Sequence, residues 1–448
     1  MSGERVIASL ATPVGMGALS VIRMSGNGAL DVLSHCTKTG VTKRMQARRA
    51  TLADILDEQG SPIDQVLVTW FQSPSSYTGE EMIEISCHGG MLVTRRVLER
   101  LFACGAKPAE PGEFTKRAFL SGKMDLTQAE AVMDIISAGG DLALKAALEQ
   151  LDGAIGSRVS DMKEILVHVL AHIEACIDFP DEDISPDTSS QLTGKIISVQ
   201  TAIASLLDTA NQGRLLREGI RTVIVGEPNV GKSSILNTLL GYERAIVSDV
   251  PGTTRDTVEE TLHLGGMALR LIDTAGVRES SDVIERAGIE RTGKAIASAD
   301  LVIEAVDSSE PRGSSMIAME QEASRILVLN KTDLPQHPDW KGINAVHFSC
   351  IANQGYAELE QAIKNVFASK IHTGEGDPLA SINLRHRDAL RRCTDSLEQA
   401  RLSLEARESP EFTALELRES LASLGEITGQ IDTEEILGAI FSTFCLGK

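Results

Sequence analysis

The chain has 448 residues, 42% of them apolar, which suits about two to four domains that each bury an ordinary core. Its 43 basic and 63 acidic residues give a formal net charge of −20, which argues against a protein that grips nucleic acid over a broad surface by itself. If the protein acts on RNA, the positive charge that attracts the RNA must come from a partner or from a small local patch.

The cysteines stand singly, without a CxxC pair. No signal peptide precedes the first strand-like run, and the longest apolar runs are far shorter than a membrane span. We therefore expect a reduced, cytoplasmic protein with free thiols and no membrane contact.

Residues 1–118 combine strand and helix patterns. VIASLATP, ALSVIRMSG, QVLVTWFQSP and MIEISCHGG are typical of strands, and LVTRRVLERLFACGA is typical of a helix. Over residues 119–217, apolar residues recur at helical spacing in AEAVMDIISA, ALKAALEQLDGAIGSRV and MKEILVHVLAHIEACI. The acidic DFPDEDISPD indicates a loop between helices. An α+β domain and the beginning of a helical domain are therefore predicted.

The strand RTVIVG opens an alternating strand and helix region over residues 218–371. HTGEGDPLAS is typical of a linker, and helical patterns return over residues 372–448. Because helical segments flank the α/β segment on both sides, the simplest architecture is one helical domain, split in sequence, with the α/β domain inserted in it. Two separate helical bundles are the alternative.

GEPNVGKSS lies between the strand RTVIVG and the helix-like ILNTLLG, which is the context of a phosphate-binding P-loop. The pattern G-x-x-x-x-G-K-[ST] is met by Gly226, Gly231, Lys232 and Ser233. Backbone N–H groups would wrap the phosphates, Lys232 would add a point charge, and the Ser233 hydroxyl would coordinate Mg²⁺. A chance glycine turn is the bland alternative, and the strand–loop–helix context argues against it.

A second motif, LRLIDTAG, places Asp273 at a strand end for the magnesium shell, with the Gly276 amide available to the γ-phosphate. Many GTPases have a Gln directly after DTAG to orient the attacking water. Val277 stands there and cannot form a hydrogen bond. Either hydrolysis is slow, or the water is positioned from elsewhere. Arg255 and Arg278 are nearby, but spacing alone identifies no arginine finger.

The third motif, LVLNKTD, ends another apolar strand with Asn330, Lys331 and Asp333. A carboxylate there can accept from the guanine N1–H and the exocyclic amine, two donors that adenine lacks. HFSCIANQ then puts Ser349 and the Cys350 amide beside the base. GTP binding is therefore predicted, through Asn229, Val230, Gly231, Lys232, Ser233, Ser234, Ser248, Asp249, Val250, Pro251, Gly252, Thr253, Thr254, Asp273, Thr274, Ala275, Gly276, Asn330, Lys331, Thr332, Asp333, Ser349, Cys350 and Ile351.

With PGTTRD between the P-loop and DTAG, the chain resembles the MnmE (TrmE) family of tRNA-modifying GTPases. The resemblance also rests on ATPVGMGALSVIRMSG, TGEEMIEISCHGG, PGEFTKRAFLSGKMDLTQAEAVMDII and the final FCLGK, so it covers essentially the whole chain. It implies a multidomain α/β plus all-α protein. The parts would be an N-terminal α+β folate-binding-like domain, a split helical domain and an inserted Ras-like P-loop GTPase domain.

The resemblance further implies partners and cofactors. A flavin-containing partner, MnmG, would join this chain in a heterotetramer or larger assembly and would hold most of the tRNA. Together they would add a carboxymethylaminomethyl-type group at C5 of the wobble uridine, with a 5,10-methylene or 5-formyl tetrahydrofolate derivative as the one-carbon source. This chain would form a homodimer through its N-terminal domains, and its G domains would meet when K⁺ and GTP are bound.

Single residues also receive roles from the resemblance. Asn229 and the loop SDVPGTT would hold K⁺, with Ser248 and Val250 giving backbone oxygens and Thr253 close by. The cation would sit where the charge of an arginine finger falls in other GTPases. Thr254 would meet Mg²⁺ together with the P-loop serine.

Glu285 in SSDVIERAG matches the family's water-orienting glutamate, and a solvated helix face is its bland alternative. The folate site would comprise Arg23, Glu80 and Lys123, with Lys448 also matched to it. A pterin ring offers donors to a carboxylate, while a glutamate tail needs cationic partners. Singly, each of these residues could be a surface charge.

The final FCLGK raises the question of Cys445. A prenylation box is a poor match, because Gly447 is not aliphatic and a terminal Lys is not a usual last residue. A frayed tail is the common fate of chain ends. The preceding EEILGAIFSTF is amphipathic, however, and can dock and order the segment. We therefore expect Cys445 at the modification site as a catalytic thiol; packing alone is the alternative.

Two further functions remain open at this stage. A regulatory GTPase of ribosome assembly or signalling would share the nucleotide motifs, but it needs neither the folate-like stretches nor FCLGK. A folate enzyme with an incidental nucleotide domain does not account for complete GTP-binding motifs.

We predict that GTP hydrolysis is markedly faster in potassium than in sodium and that the increase depends on protein concentration. An arginine finger contributes about 10³–10⁵ in rate, and a fixed cation can supply part of that. Glu285→Ala should cost on the order of a hundredfold in turnover with GTP affinity little changed, because the interaction is made mainly in the transition state. Equal steady-state rates in the two salts would remove Asn229 and SDVPGTT from the mechanism.

Overall fold

The structure is a computed structural model that describes residues 5–179, 189–244, 260–272, 293, 295–313, 324–368, 370–371, 379, 381–430, 434–445 and 447–448. The chain divides into two compact units. The first comprises residues 1–133, 156–193 and 395–448, and the second comprises residues 134–155 and 194–394. The domain bounds drawn from the sequence remain predictions. Within the described ranges, no helix is both long enough and apolar enough to span a bilayer.

The first unit contains one six-stranded sheet. Its strands are β1 (Ile7–Leu10), β2 (Leu19–Ser25), β3 (Ala50–Leu56), β4 (Pro62–Phe71), β5 (Met82–His88) and β6 (Lys107–Pro108). They lie in the order β3-β4-β5-β2-β1-β6, and all neighbours are antiparallel except β1 and β6. The four predicted strands are confirmed. β3 and β6 were not predicted, and two-residue β6 is too short to show a period of two.

Helices cover one face of this sheet. They are α1 (Ala29–Cys36), α2 (Val41–Arg44) and α3 (Met91–Ala103), and α4 (Glu113–Leu120) follows β6. Leu33 of α1, Leu101 of α3 and Ile85 of β5 are fully buried in one core. The helix predicted in LVTRRVLERLFACGA is confirmed as α3.

Four helices follow along the chain: α5 (Leu126–Ser137), α6 (Asp141–Leu151), α7 (Ala154–Asp178) and α8 (Ser189–Glu218). They confirm the helical pattern, with one difference. ALKAALEQLDGAIGSRV does not form one helix, because the chain breaks between α6 and α7 at Gly153, whose φ is +91°. A left-handed backbone at glycine ends the first helix and allows the second to begin in a new direction.

The second unit contains a second six-stranded sheet. Its strands are β7 (Ile220–Val225), β8 (Glu260–Leu264), β9 (Met267–Leu271), β10 (Leu301–Asp307), β11 (Ser324–Asn330) and β12 (Val346–His347). The order is β12-β11-β10-β7-β9-β8, parallel throughout except for the β8–β9 pair. The helices α9 (Lys232–Arg244) and α10 (Tyr356–Phe367) pack on its core. The carboxyl ends of β7, β10 and β11 meet at one edge, where loops bind ligands.

Three helices complete the chain: α11 (Leu384–Ala406), α12 (Pro410–Thr428) and α13 (Glu434–Ser442). The segment from α13 onward is docked in the first unit. Phe441 and Phe444 are only 3% and 6% exposed, and their ring centroids lie 5.3 Å apart. They pack with Leu126 and Leu437 in one apolar cluster. The expectation that this amphipathic helix orders the following residues agrees with these contacts.

We predict that Gly112→Ala loosens this docking. Gly112 caps α4 with φ +68°, and a Cβ there would lie 2.6 Å from the Phe441 carbonyl oxygen. Gly40, which caps α2 with φ +89° and has open space around it, is the matched control. Gly40→Ala should cost about 1–2 kcal/mol from backbone strain alone, and Gly112→Ala about 1–3 kcal/mol more. Urea unfolding and hydrogen exchange of α13 measure the difference; equal losses in both variants would contradict it.

Candidate functional site

The P-loop approaches its neighbours too closely for side chains at its two motif glycines. Gly226 has φ +150°, and a Cβ there would lie 2.2 Å from the carbonyl oxygen of Ala305 in β10. Gly231 has φ +96°, and its Cβ would lie 2.2 Å from Nδ2 of Asn330. The loop is therefore shaped by backbone contact with β10 and β11, and only glycine fits at either position.

Lys232 begins α9 and points back into the loop. Its Nζ donates to the carbonyl oxygens of Gly226, at 3.0 Å, and Glu227, at 2.8 Å. Burial lowers the pKa of this ammonium group. Ser233 and Ser234 follow, exposed in the first turn of α9, where the helix dipole favours an anion. Lysine, amides and hydroxyls thus meet at one place, as phosphate binding requires.

The guanine motif is joined directly to the P-loop. Asn330, at the end of β11, donates from Nδ2 to the Val230 carbonyl oxygen at 2.8 Å. Lys331 donates to Oδ2 of Asp307, at the end of β10, at 2.6 Å. Burial alone would raise the pKa of Asp307, but hydrogen bonds from Lys331 and Ser309 outweigh it and lower that pKa. The carboxylate therefore stays ionised and holds Lys331 in place.

The residues predicted to contact the base also form defined hydrogen bonds. The Ser349 hydroxyl donates to Oδ1 of Asp333 at 2.6 Å and accepts from the Ala352 amide at 3.1 Å. The Thr332 hydroxyl donates to the Phe348 carbonyl oxygen at 3.0 Å. Asp333 is thereby oriented through one of its two carboxylate oxygens.

Cys350 and Ile351 follow at the rim of this loop. The Cys350 Sγ lies 3.7 Å from Oδ1 of Asn330, and burial raises the pKa of the thiol. Ile351 is 88% exposed. Their contacts to a base remain predictions.

The other predicted nucleotide and ion residues lie outside the described residues. They are Ser248, Asp249, Val250, Pro251, Gly252, Thr253, Thr254, Asp273, Thr274, Ala275, Gly276 and Glu285. Among the described residues, Asn229 stands exposed at the P-loop tip with φ +66°. The described part of the chain contains no group of three or more His, Cys, Asp or Glu that could hold a metal ion. The K⁺ and Mg²⁺ sites remain predictions.

A second cluster surrounds Arg23 on β2 in the first unit. Nε and Nη2 donate to Oε1 of Glu84, directly opposite on β5, at 3.1 and 2.8 Å. Nη1 donates to the Gly447 carbonyl oxygen at 3.4 Å. The guanidinium also lies 5.3 Å from the Tyr77 ring centroid and 5.9 Å from that of Phe114. Arg23 is thus fixed by a carboxylate, two aromatic rings and the final residues of the sequence.

The residues after α13 fit tightly against β1. Gly447 has φ +90°, and a Cβ there would lie 2.4 Å from the Leu10 carbonyl oxygen. Lys448 is half-buried, and burial together with the charge of Arg23 lowers its pKa, against opposing effects of Glu84 and Cys445. Cys445 itself is exposed. The structure therefore brings Arg23, Lys448 and the Cys445 segment together.

Glu80 has partners other than Arg23. Its Oε2 accepts from the Ser25 hydroxyl at 2.7 Å and from Nη1 of Arg117 at 3.0 Å. Arg117 is almost fully buried and also donates to Glu113 at 2.7 Å. The predicted Lys123 lies beside Gly79. A Cβ added at Gly79 would be 3.4 Å from the Lys123 Cε.

Sequence reasoning missed Glu84 and Arg117. A charged residue within each of two apolar strands, VIRMS and MIEIS, was the available signal for Arg23 and Glu84. Nothing local in TKRAFL marks Arg117 as buried, because its partner Glu80 is distant in sequence.

Comparisons with known proteins agree over the whole chain. The family models described as "GTP-binding protein TrmE N-terminus" and "MnmE helical domain" match residues 6–123 and 126–445. A "tRNA modification GTPase MnmE" from Akkermansia muciniphila is 62% identical over 445 residues, 99% of each chain. One from Aquifex aeolicus is 42% identical over 450 residues, again 99% of each. Among solved structures, the FeoB G-domain from Methanococcus jannaschii covers 33% of this chain and 96% of its own at 27% identity, with a TM-score of 0.23.

We predict that Asp333→Asn exchanges guanine selectivity for xanthine selectivity, because an amide presents one donor and one acceptor where the carboxylate presents two acceptors. Each lost charge-assisted hydrogen bond is worth roughly 1.5–3 kcal/mol, so GTP should bind at least tenfold more weakly. Competition between GTP and xanthosine triphosphate measures this. Asp339→Asn, an exposed change in the same unit, is the matched control. A variant that binds GTP at wild-type strength would show that LVLNKTD is assigned wrongly.

Proposed function

The chain belongs to the MnmE family of tRNA modification GTPases, and on that premise we propose a reaction and a set of partners for it. It is a GTP hydrolase that acts in tRNA modification. With a flavin-containing MnmG-like partner, it uses a tetrahydrofolate one-carbon unit to add a carboxymethylaminomethyl-type group at C5 of the wobble uridine. The partner holds most of the tRNA, which suits a chain of formal charge −20.

The observation that carries this proposal is that Gly447 and Lys448 pack against the cluster around Arg23. A GTPase that serves only as a timer needs no second polar cluster closed by the last residues of its sequence. The cluster combines a cation, a carboxylate and aromatic faces, which is the chemistry of a small-molecule site. This favours an enzyme of tRNA modification over a regulatory GTPase of ribosome assembly or signalling.

The same cluster supports a folate derivative as the ligand. Glu84 and Glu80 offer acceptors to a pterin ring, and Tyr77 offers a face to it. Lys448 and Lys123 offer cations to the carboxylates of a glutamate tail. When bound, the folate would supply the one-carbon unit. The residues themselves would bind and orient it, and Arg23 would hold the final residues against the site.

The nucleotide site supports GTP and Mg²⁺. Lys232 can move from the carbonyl oxygens of its own loop to a phosphate, since a charged acceptor forms the stronger hydrogen bond. Asp333 would accept from guanine. Ser233 and Thr254 would hold Mg²⁺, which neutralises phosphate charge. Glu285 would orient the attacking water.

A potassium ion is the proposed second cation. Asn229 is exposed at the P-loop tip, and its amide oxygen suits a hard cation. Ser248, Val250 and Thr253 would add oxygens from the SDVPGTT loop. The ion would supply positive charge against the phosphates, in the place of an arginine finger.

Cys445 is the proposed catalytic thiol of the modification site, and we predict that Cys445→Ser abolishes or sharply reduces wobble-uridine modification. Potassium-stimulated GTP hydrolysis should stay near normal, because the substitution leaves the second unit unchanged. tRNA nucleoside analysis in cells that carry each variant measures the first effect. Cys176→Ser, at a half-buried cysteine of α7, is the matched control. Modification that persists in a folded, dimeric Cys445→Ser protein would falsify the catalytic role.

A further inference from the structure

A groove lies beside α13, between the edge strand β6 and α4. Its volume is about 660 Å³, within the roughly 300–1,000 Å³ of common small-molecule pockets. Its walls come from β1, β6, α4 and α13, all of them elements of the first unit.

Three unpaired cations line this groove. Arg5, Lys107 and Lys116 all contribute to its wall. Within the described ranges, none of their side chains forms an ion pair or a hydrogen bond to another residue. Solvated cations in a concave surface, held apart by the backbone, attract an extended anion.

The acidic residues of the groove are already engaged. Glu113 accepts from Nη2 of Arg117 at 2.7 Å and from the Glu110 amide at 2.8 Å. Arg117 is shared by Glu113 and Glu80, so this group of three carries one net negative charge, against the three positive charges of Arg5, Lys107 and Lys116. Glu110 is the one exposed carboxylate among the described residues that line the groove. The net field in the groove is therefore positive on a chain that is strongly negative elsewhere.

A structural role accounts for only one of the three cations. Lys107 and Pro108 form the edge strand β6, and lysine and proline at an edge discourage pairing with another strand. Lys116 lies on α4 and has no such role. It lines the same groove as Lys107, which is the placement expected of a lysine that meets a bound anion.

The groove adjoins the proposed modification site. α13 forms one wall through Gly438, Phe441 and Ser442, and Cys445 follows three residues later. We propose that this groove binds the phosphate backbone of tRNA and leads the RNA strand toward Cys445, so that the chain itself contributes an RNA contact beside that of its partner. The inference rests on the proposed function, because only an RNA substrate brings a phosphate chain to this place.

The test measures binding of a full-length tRNA transcript to the full chain without the flavin-containing partner, across a series of salt concentrations. Lys107→Ala with Lys116→Ala should weaken binding by about tenfold and make the slope of log affinity against log salt shallower by roughly 1 for each lysine. Lys43→Ala, an exposed lysine on α2 without an ion-pair partner among the described residues, should leave the slope within about 1 of the unmodified protein. Lys107→Arg with Lys116→Arg should restore binding, which excludes misfolding as the cause.

Three outcomes would overturn the inference. The first is an alanine pair that binds tRNA with the affinity and salt slope of the unmodified protein. The second is an unmodified chain that does not bind tRNA at low salt. The third is an equal loss of affinity for poly-glutamate, which would assign the groove to an acidic protein segment. Failure of the proposed function is recognised separately, by wobble-uridine modification that persists in cells lacking the chain.

Discussion

The parallel arrangement of β7, β10 and β11 is the constraint on which the nucleotide site depends. Their carboxyl ends meet at one edge, so the P-loop, Asp307 and Asn330 are neighbours although they lie far apart in sequence. The bond from Asn330 to the Val230 carbonyl then ties the base-reading loop to the phosphate-reading loop. A Cβ at Gly231 would lie 2.2 Å from Nδ2 of Asn330, so a side chain there would push the two loops apart.

In the first unit, the main constraint is that Arg23 is partly buried, so its charge needs a partner. Glu84 supplies the counter-charge from the next strand, and two aromatic rings shield the guanidinium. The Gly447 carbonyl completes the set. Burial of charge is costly unless it is paired and hydrogen-bonded, so each partner restricts where Arg23 can point. A fixed arginine is a suitable base for a binding site, whereas a solvated one is not.

The sequence predicted the structure best at short motifs, where neighbouring residues determine both the local structure and the chemistry. GEPNVGKSS and LVLNKTD each specify a turn, a strand end and a set of donors, and both lie where they were expected. It predicted side-chain pairs less well, because these depend on how strands align and on which distant elements meet. Arg23 meets Glu84 only because β2 and β5 align at these two positions, and one of the two carboxylates that pair with buried Arg117 is Glu80, which is distant in sequence. The break between α6 and α7 at Gly153 was not predicted, because the helical spacing of apolar residues continues through it.

Lys232 has one further consequence. Its ammonium group is held by two neutral carbonyl oxygens of its own loop, so the loop itself fixes where the positive charge lies. An incoming phosphate then has only to replace weak acceptors with a strong one, and little reorganisation precedes binding. The position of the positive charge is thus set by the backbone of the loop, and a phosphate contributes a stronger acceptor rather than a new arrangement of the site.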